Sequence, residues 1–259
     1  MTRPLALVRR PGPSLDQGTV THIERESVVV ALAGRQWDAY VEAMTGAGWD
    51  IVEVEPVDEC PDAVFVEDAL VVFEDLAVVT RPGEQIRRSE TLGAEHAARR
   101  LGLEVRTIEE GTLDGGDVLK VGRTVYVGVS GRTDRVAIAQ LSSLLSPRGW
   151  AVCPVEVRSV LHLKSAVTAL PDGTVIGYPD LVDDDSVFDR FLPVPEPGGA
   201  HVVLVGDDRL LMSASAPRSA EMFSDLGYRP IEVDISEFEK LEGCVTCLSV
   251  RIRALKPLT

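Results

Sequence analysis

The sequence predicts an α/β fold, a five-bladed pseudo-symmetric propeller in which five strand–strand–helix–strand units close around a central axis. Two patterns that repeat in phase support this prediction. The first is a short apolar run after a polar residue, and its five copies begin at Asp68, Asp117, Ser165, His201 and Cys247. Successive copies are 49, 48, 36 and 46 residues apart. Such an interval is typical of repeat folds, in which each unit buries its apolar face against its neighbours.

The first two strands of each unit are predicted to form a hairpin. Each of the first four apolar runs precedes a turn and a second β-like run. The turns at residues 171–173 and 206–208 contain the proline, glycine and aspartate residues that hairpins favour. The fifth run has no such partner after it, so we expect it to pair with LALVRR near the N-terminus and close the ring.

The ends of the predicted helices are the second repeating pattern. Helix-like stretches end at Gly48, Gly102, Gly149 and Gly227, and each glycine precedes an apolar or aromatic residue and a short β-like run. Glycine adopts the left-handed conformation that ends many helices without strain. The 78 residues between Gly149 and Gly227 leave room for a unit with a reduced helix, around residues 184–191.

Length and charge limit the classes of function. The 259 residues are enough to bury a substantial core, and the repeats predict one domain over residues 1–259. The formal net charge of −15 argues against nucleic acids and anionic membranes as partners, and it is compatible with a cationic small molecule. No apolar stretch is long enough for a signal-peptide core or a membrane span. We therefore expect a cytoplasmic protein with reduced cysteines.

Cys244 and Cys247 are spaced C-x-x-C, a pattern that also occurs in zinc and redox sites. A zinc site needs four ligands, and the sequence has neither a second C-x-x-C nor an H-x-x-x-H. The redox motif opens a helix after a strand, whereas we expect Cys247 to begin a strand. We therefore predict no metal or cofactor, and expect Cys60, Cys153 and Cys244 to be packing residues or bystanders.

In a closed ring the starts of the first strands converge near the axis, and these positions are unusually polar here. Cys247, His162 and Asp114 would meet there, which is the arrangement for catalysis by a cysteine with a histidine partner. The alternative is an inert buried thiol and a core histidine. Glu67 and Asp68 lie in an apolar run without lysine or arginine, and buried carboxylates are costly unless they are paired. We therefore expect an acidic cavity that holds a ligand guanidinium or amine.

The ligand is expected to carry a carboxylate as well. Arg87 and Arg132 stand at matching places after their hairpins, and a planar guanidinium binds a carboxylate through two hydrogen bonds. The alternative is a pair of surface arginines. Gly115 and Gly116 form either a turn or a place where the backbone approaches a ligand closely. A ligand with cationic and carboxylate ends is an α-amino acid such as arginine.

Six segments, in their order along the chain, resemble those of the dimethylargininase family: FVEDALVV, TRPG…RR, LDGGDVL, SGRT, LHLKS and EGCVTCLSV. Each segment alone is a weak signal, but six in order over nearly the whole chain are specific. The resemblance implies membership of the pentein superfamily of guanidino-group-modifying proteins. The fold of that superfamily is a five-bladed α/β propeller of ββαβ units, in agreement with the repeats.

The resemblance also implies a role for each candidate residue. Cys247 would be the nucleophile, His162 the general acid and base, and Asp114 the carboxylate that orients the histidine. The substrate would be bound by the guanidinium ligand Asp68, the pocket residues Asp62 and Glu67, the carboxylate ligands Arg87 and Arg132, and the backbone carbonyls of Val20 and Leu241 for the α-amino group. Some relatives have glutamate where Asp114 stands. Aspartate is one methylene shorter, so the sequence does not determine whether the Asp114 carboxylate reaches His162.

The implied reaction is hydrolysis of Nω-methylated arginine to citrulline and a methylamine, through a thiouronium intermediate on Cys247 and without a metal or cofactor. The partner is thus a small-molecule substrate, and a homodimer is left open. A small deiminase or amidinotransferase acting on arginine or another guanidino compound is the alternative enzyme, and a non-catalytic pentein that binds a partner is the alternative outside enzymes. Nearby carboxylates raise a thiol pKa, so we expect the Cys247 thiol to be protonated until substrate arrives.

Overall fold

The structure is a computed structural model that describes residues 3–253, and fifteen strands in this part of the chain form five three-stranded sheets. The strands are β1 Leu5–Val8, β2 Asp50–Glu53, β3 Leu70–Phe73, β4 Leu76–Val79, β5 Glu104–Thr107, β6 Val118–Val121, β7 Thr124–Val129, β8 Ala151–Glu156, β9 Val167–Ala169, β10 Val175–Gly177, β11 Phe191–Pro193, β12 Val202–Leu204, β13 Arg209–Ser213, β14 Arg229–Val233 and β15 Val250–Ile252. The sheet orders are β15-β1-β2, β3-β4-β5, β6-β7-β8, β9-β10-β11 and β12-β13-β14.

All five sheets share one connection pattern, which confirms the repeat. The first strand pairs antiparallel with the middle strand, and the third strand pairs parallel to the middle strand. The sheet β15-β1-β2 joins the two ends of the chain, with Leu7 of β1 opposite Val250 of β15. This pairing confirms that the N-terminal segment completes the last unit and closes the ring.

Helices lie in the crossovers that lead to the parallel third strand. They are α1 Val30–Gly46, α2 Thr91–Arg100, α3 Arg135–Leu145 and α4 Pro217–Asp225, and a short α5 Ser236–Glu239 precedes the last unit. The crossover from β10 to β11 contains only two 3-10 turns, Pro179–Leu181 and Asp185–Val187, in agreement with the predicted reduced helix. The four predicted helix-ending glycines all have positive φ, between 75° and 92°. No helix in residues 3–253 has the length and apolar character to cross a membrane.

The apolar core lies between the sheets and the helices that cover them. The alanine-rich face of α2, with Ala94, Ala97 and Ala98, packs in one buried cluster with Leu70 and Ala77 of the adjoining strands. Residues of β3, β6, β9, β12 and β15 line one cavity, so the first strands of the five sheets face a common axis. The residues that precede these first strands are therefore brought together.

The structure corrects one detail of the predicted strands. Cys247 was expected to begin a strand, but β15 begins at Val250. Cys247 lies in a turn before that strand, where its N–H donates to the Cys244 carbonyl at 3.0 Å. Similar 3-10 turns, Val66–Ala69 and Gly115–Asp117, precede β3 and β6. These turns gather polar side chains that strand alternation would send to opposite faces.

Candidate active site

Two carboxylates and an imidazole meet at the turns that precede three different first strands. His162 Nε2 lies 3.0 Å from Asp114 Oδ2, and His162 Nδ1 lies 3.9 Å from Asp68 Oδ1. All three side chains are buried. The shorter aspartate at position 114 thus reaches the histidine ring. Because Nε2 is bonded to Asp114, Nδ1 is the ring nitrogen that remains for a substrate.

The carboxylates keep His162 protonated at neutral pH. Burial favours the neutral ring, but Asp68, the hydrogen bond to Asp114 and the charge of Asp117 outweigh burial and raise the pKa of His162 to about 9. Burial also disfavours ionised Asp68, yet the charges of His162 and Arg87 lower the pKa of Asp68 to about 2. The site therefore holds an imidazolium between carboxylates, which can donate a proton. A metal ion at these three side chains would have to displace that proton.

Backbone and hydroxyl groups hold Asp114 in place. The N–H of Gly83 donates to Asp114 Oδ1 at 2.9 Å, and the N–H of Asp114 donates to the Thr133 hydroxyl at 3.0 Å. Because one carboxylate oxygen is used in this way, the other oxygen is directed at His162. Gly83 and Thr133 were not identified from the sequence, since only the folded hairpins bring them beside Asp114.

Gly115 and Gly116 are required by close packing of the site's own groups. The N–H of Gly116 donates to Asp68 Oδ1 at 2.8 Å. A Cβ at Gly116 would lie 2.5 Å from His162 Nδ1, and a Cβ at Gly115 would lie 2.0 Å from the Glu67 carbonyl oxygen. Neither position accepts a side chain, so the glycine pair lets two turns approach each other.

The Cys247 thiol is buried beside the turn that carries Glu67 and Asp68. The N–H of Glu67 donates to the Cys247 carbonyl at 3.2 Å, and the sulfur atoms of Cys247 and Cys244 lie 3.3 Å apart. The contact with Cys244, burial, and the carboxylates of Glu67 and Asp68 raise the pKa of Cys247 well above its ordinary range. A protonated thiol in the unliganded protein agrees with the expectation. Cys244 is buried, as expected for a packing residue. It packs directly against the sulfur of the candidate nucleophile Cys247.

The protein itself supplies cations for two carboxylates that were expected to lack them. Glu67 Oε1 accepts hydrogen bonds from Lys164 at 2.6 Å and from Arg251 at 2.7 Å. Arg87 donates to Asp68 at 2.8 Å. These partners come from other segments of the chain, so the acidic cavity expected from the sequence also contains cations of the protein itself. Glu67 Oε2 is buried and has no hydrogen-bond partner among residues 3–253.

The two candidate carboxylate ligands differ in their environments. All three guanidinium nitrogens of Arg87 donate to protein groups, including Asp68 and both oxygens of Glu90. Arg132 is also buried, but its Nη1 has no hydrogen-bond partner in the described part of the chain and lies 3.9 Å from Asp114. A buried donor without a partner is unfavourable, so Arg132 is the better placed of the two for a ligand carboxylate. The role of Arg87 as a substrate ligand stays a prediction.

The N-terminal loop brings the remaining candidates together. The N–H of Thr19 donates to both carboxylate oxygens of Asp62, at 3.1 and 3.2 Å. Val20 packs against the buried cluster that contains Leu241. The next two backbone N–H groups, of residues 21 and 22, donate to Glu242 at 2.7 and 2.9 Å. Glu242 was missed because its partners lie more than 200 residues away in the sequence.

The chain is similar to known proteins over nearly its whole length. A family model described as arginine deiminase matches residues 58–209. The dimethylarginine dimethylaminohydrolase of Streptomyces coelicolor is 62% identical over 251 residues, which cover 96% of this chain and 97% of that protein. The chain belongs to the dimethylarginine dimethylaminohydrolase family. The member from Pseudomonas aeruginosa is 34% identical over 95% of this chain and 98% of its own length.

Solved structures of this family share the whole fold. The P. aeruginosa dimethylarginine dimethylaminohydrolase, as a cysteine-to-serine mutant complexed with citrulline, is 33% identical with a TM-score of 0.89. A family structure described as an adduct with S-methyl-L-thiocitrulline is 32% identical, also with a TM-score of 0.89. Both comparisons cover 97% of this chain and 100% of the other. The N-terminal domain of a cyanobacterial arginine dihydrolase, 19% identical with a TM-score of 0.82, covers 96% of this chain and shows the fold alone.

Proposed function

We propose that this protein hydrolyses asymmetric dimethylarginine and monomethylarginine to citrulline and dimethylamine or methylamine. The observation that carries the proposal is the buried imidazolium of His162, held between Asp114 and Asp68, the second of which also raises the pKa of the Cys247 thiol. This arrangement supplies a nucleophile, a proton donor and anions for a guanidinium. The citrulline complex of a relative supports the same product.

Substrate binding prepares the nucleophile. Asp68 and Asp114 accept the guanidinium, and Asp68 stays ionised at neutral pH because its pKa is about 2. The bound positive charge offsets the carboxylates that raise the Cys247 pKa, so the thiol releases its proton to solvent when the substrate is present and takes one back after the product leaves. The unliganded thiol is thereby kept less reactive than the thiol of the complex.

The first chemical step releases the amine. The Cys247 thiolate adds to the central guanidinium carbon, forming a C–S bond. His162 protonates the methylated nitrogen from Nδ1, the C–N bond breaks, and neutral methylamine or dimethylamine departs. A positively charged thiouronium group remains on Cys247, next to Asp68 and Asp114. Their fixed charges stabilise the group without rearrangement.

The second chemical step restores the thiolate. Neutral His162 takes a proton from water, and the hydroxyl adds to the thiouronium carbon. The C–S bond breaks, the thiolate leaves, and the remaining hydroxyl proton passes to solvent, where it protonates the released amine. The product is citrulline. His162 is again an imidazolium, and these steps use side chains of this chain and water.

The far end of the substrate is bound as an α-amino acid. We assign the α-carboxylate to Arg132, with Arg87 as the second candidate. We assign the α-amino group to Asp62 and to the carbonyls of Val20 and Leu241, which the N-terminal loop brings together. We further infer a cytoplasmic location for an enzyme with a required free thiol, and association as a homodimer stays a prediction.

The test is citrulline production from dimethylarginine, monomethylarginine, arginine and agmatine. The two methylated substrates should give the highest kcat/KM, and Cys247→Ser should lower kcat by at least about 10³-fold while retaining binding. Cys153→Ser is the matched control, since Cys153 lies in β8 away from the site. Preference for arginine would indicate the alternative deiminase. Turnover by Cys247→Ser would overturn the assignment of the nucleophile, and mass spectrometry of quenched enzyme should find the adduct on Cys247.

A further inference from the structure

A second polar region lies between the first strands of the five sheets. It is a cavity of about 120 Å³ whose lining includes four cationic side chains, Lys120, Lys164, Arg251 and Arg253, and one carboxylate, Glu67. The catalytic candidates Cys247, His162, Asp114 and Asp68 do not line it. The cavity and the catalytic cluster therefore meet only at Glu67 and its neighbours.

The cations of this cavity exceed the carboxylates around it. Glu67 Oε1 is shared by Lys164 and Arg251, so one negative charge faces two positive charges. The Lys120 ammonium donates to the Val72 carbonyl at 2.7 Å and lies 5.3 Å from the centre of the Phe73 ring.

Arg253 stands at the solvent-facing mouth of the cavity and donates to the Leu204 carbonyl at 3.2 Å. Within residues 3–253, neither Lys120 nor Arg253 has a carboxylate partner. The cavity lining thus carries four cationic side chains and one carboxylate in a protein of net charge −15.

We propose that this cavity is a binding site for a small oxyanion such as phosphate, sulfate or a short carboxylate. Lys120 and Arg253 would bind it directly, because they are the lining cations that lack an anionic partner within the described residues 3–253. Arginine forks and lysine ammonium groups are the side chains that proteins use for oxyanions. The cavity volume of about 120 Å³ is enough for several water molecules or a small oxyanion, whereas sites for drug-sized ligands occupy about 300–1,000 Å³.

Like-charge repulsion supports the proposal. Burial, together with Arg253, Lys164 and Arg251, lowers the pKa of Lys120 to about 7. An anion in the cavity would reverse this effect and keep Lys120 protonated. Anion binding should therefore take up protons near neutral pH, which calorimetry in buffers of different ionisation enthalpy can detect.

The experiment is titration of the purified protein with sulfate and with phosphate at constant ionic strength, followed by calorimetry and by Tm. Saturable binding and a rising Tm are expected. Lys120→Met and Arg253→Met should each weaken binding about tenfold or more. Lys240→Met is the matched control, because Lys240 is paired with Glu237 outside the cavity. The proposal would be overturned if no saturable binding is found. It would also be overturned if Lys120→Met and Arg253→Met both bind the anion as tightly as the unmodified protein does.

A second arm separates this site from the catalytic one, where Arg132 also has an unpartnered nitrogen. Arg132→Met should bind sulfate as the unmodified protein does. If binding is lost in Arg132→Met and kept in Lys120→Met, the anion occupies the substrate pocket and the cavity proposal is wrong. Neither readout depends on turnover, so failure of the proposed hydrolase activity would leave this test intact.

Discussion

The catalytic cluster lies in turns that precede four of the five strands lining the cationic cavity, yet the two regions carry opposite charges. In the cluster, an imidazolium lies between Asp68 and Asp114, and each group lowers the cost of burying the others. In the cavity, Lys120 and Arg253 are held mainly by backbone carbonyls. Asp117, the last residue of a turn, and Lys120, within β6, are only three residues apart. Position along the repeat therefore sets the charge that faces the axis.

Glu67 is the boundary between the two regions. One of its carboxylate oxygens binds Lys164 and Arg251, and within the residues that the structure describes the other has no hydrogen-bond partner. Its charge also contributes to the raised pKa of Cys247. A carboxylate that contacts both regions separates the cations of the cavity from the imidazolium of the cluster, which would otherwise repel each other.

Among the substitutions that test this comparison, Asp114→Asn in the catalytic cluster should have the largest effect. The amide keeps the shape but removes the charge that helps to hold the proton on His162. We expect kcat to fall on the order of 10²- to 10⁴-fold, the usual contribution of acid–base catalysis. Nuclear magnetic resonance titration should place the His162 pKa below the value of about 9 in the unmodified protein.

The control for this substitution is Asp180→Asn, because Asp180 is an exposed aspartate. It should change neither kcat nor the His162 titration. An unchanged His162 pKa in Asp114→Asn would show that Asp68 and Asp117 hold the imidazolium without Asp114. In that case Asp114 would act on the substrate alone.

A smaller effect should distinguish Arg132 from Arg87 within the cluster. Arg132→Met removes a guanidinium whose Nη1 has no hydrogen-bond partner between residues 3 and 253, so KM should rise about 10- to 100-fold with little change in unfolding free energy. Arg87→Met leaves Asp68 and Glu90 buried without their cation, so it should lower the stability measured by urea unfolding. Equal stability and raised KM in both variants would instead place both arginines on the substrate carboxylate.

Much of the fold could be predicted because its signals are local. Alternating apolar runs and helix-ending glycines such as Gly102 recur in each unit, and closure of the ring was inferred from an unpaired last strand. The sequence also predicts those site residues that occupy equivalent positions in the repeats, such as His162 and Asp114. The cation partners were not, since Arg251 reaches Glu67 across 184 residues of sequence.

The placement of Cys247 shows the same limit at short range. The polar–apolar pattern after it is typical of a strand, but a hydrogen bond from its own N–H to Cys244 makes a turn instead. The contacts of the N-terminal loop were equally unpredictable, because Glu242 binds it through backbone N–H groups, which every residue type except proline carries. Patterns of residue type predict elements, whereas side-chain reach and backbone donors decide the partners.

The smallest effect is expected in the cavity, from Lys120→Met. The pKa of Lys120 is lowered from 10.5 to about 7 by burial and by the cations of Arg253, Lys164 and Arg251, so folding releases a proton between these pH values. The stability of the unmodified protein should therefore rise with pH across this window.

In Lys120→Met, methionine keeps the apolar stem without the charge, and at low salt and below pH 7 it should stabilise the protein by about 1 kcal/mol. The difference should shrink as the pH approaches 10.5. Urea unfolding at several pH values measures it, and a variant less stable than the unmodified protein at pH 6 would mean that the Lys120 charge is favourably paired.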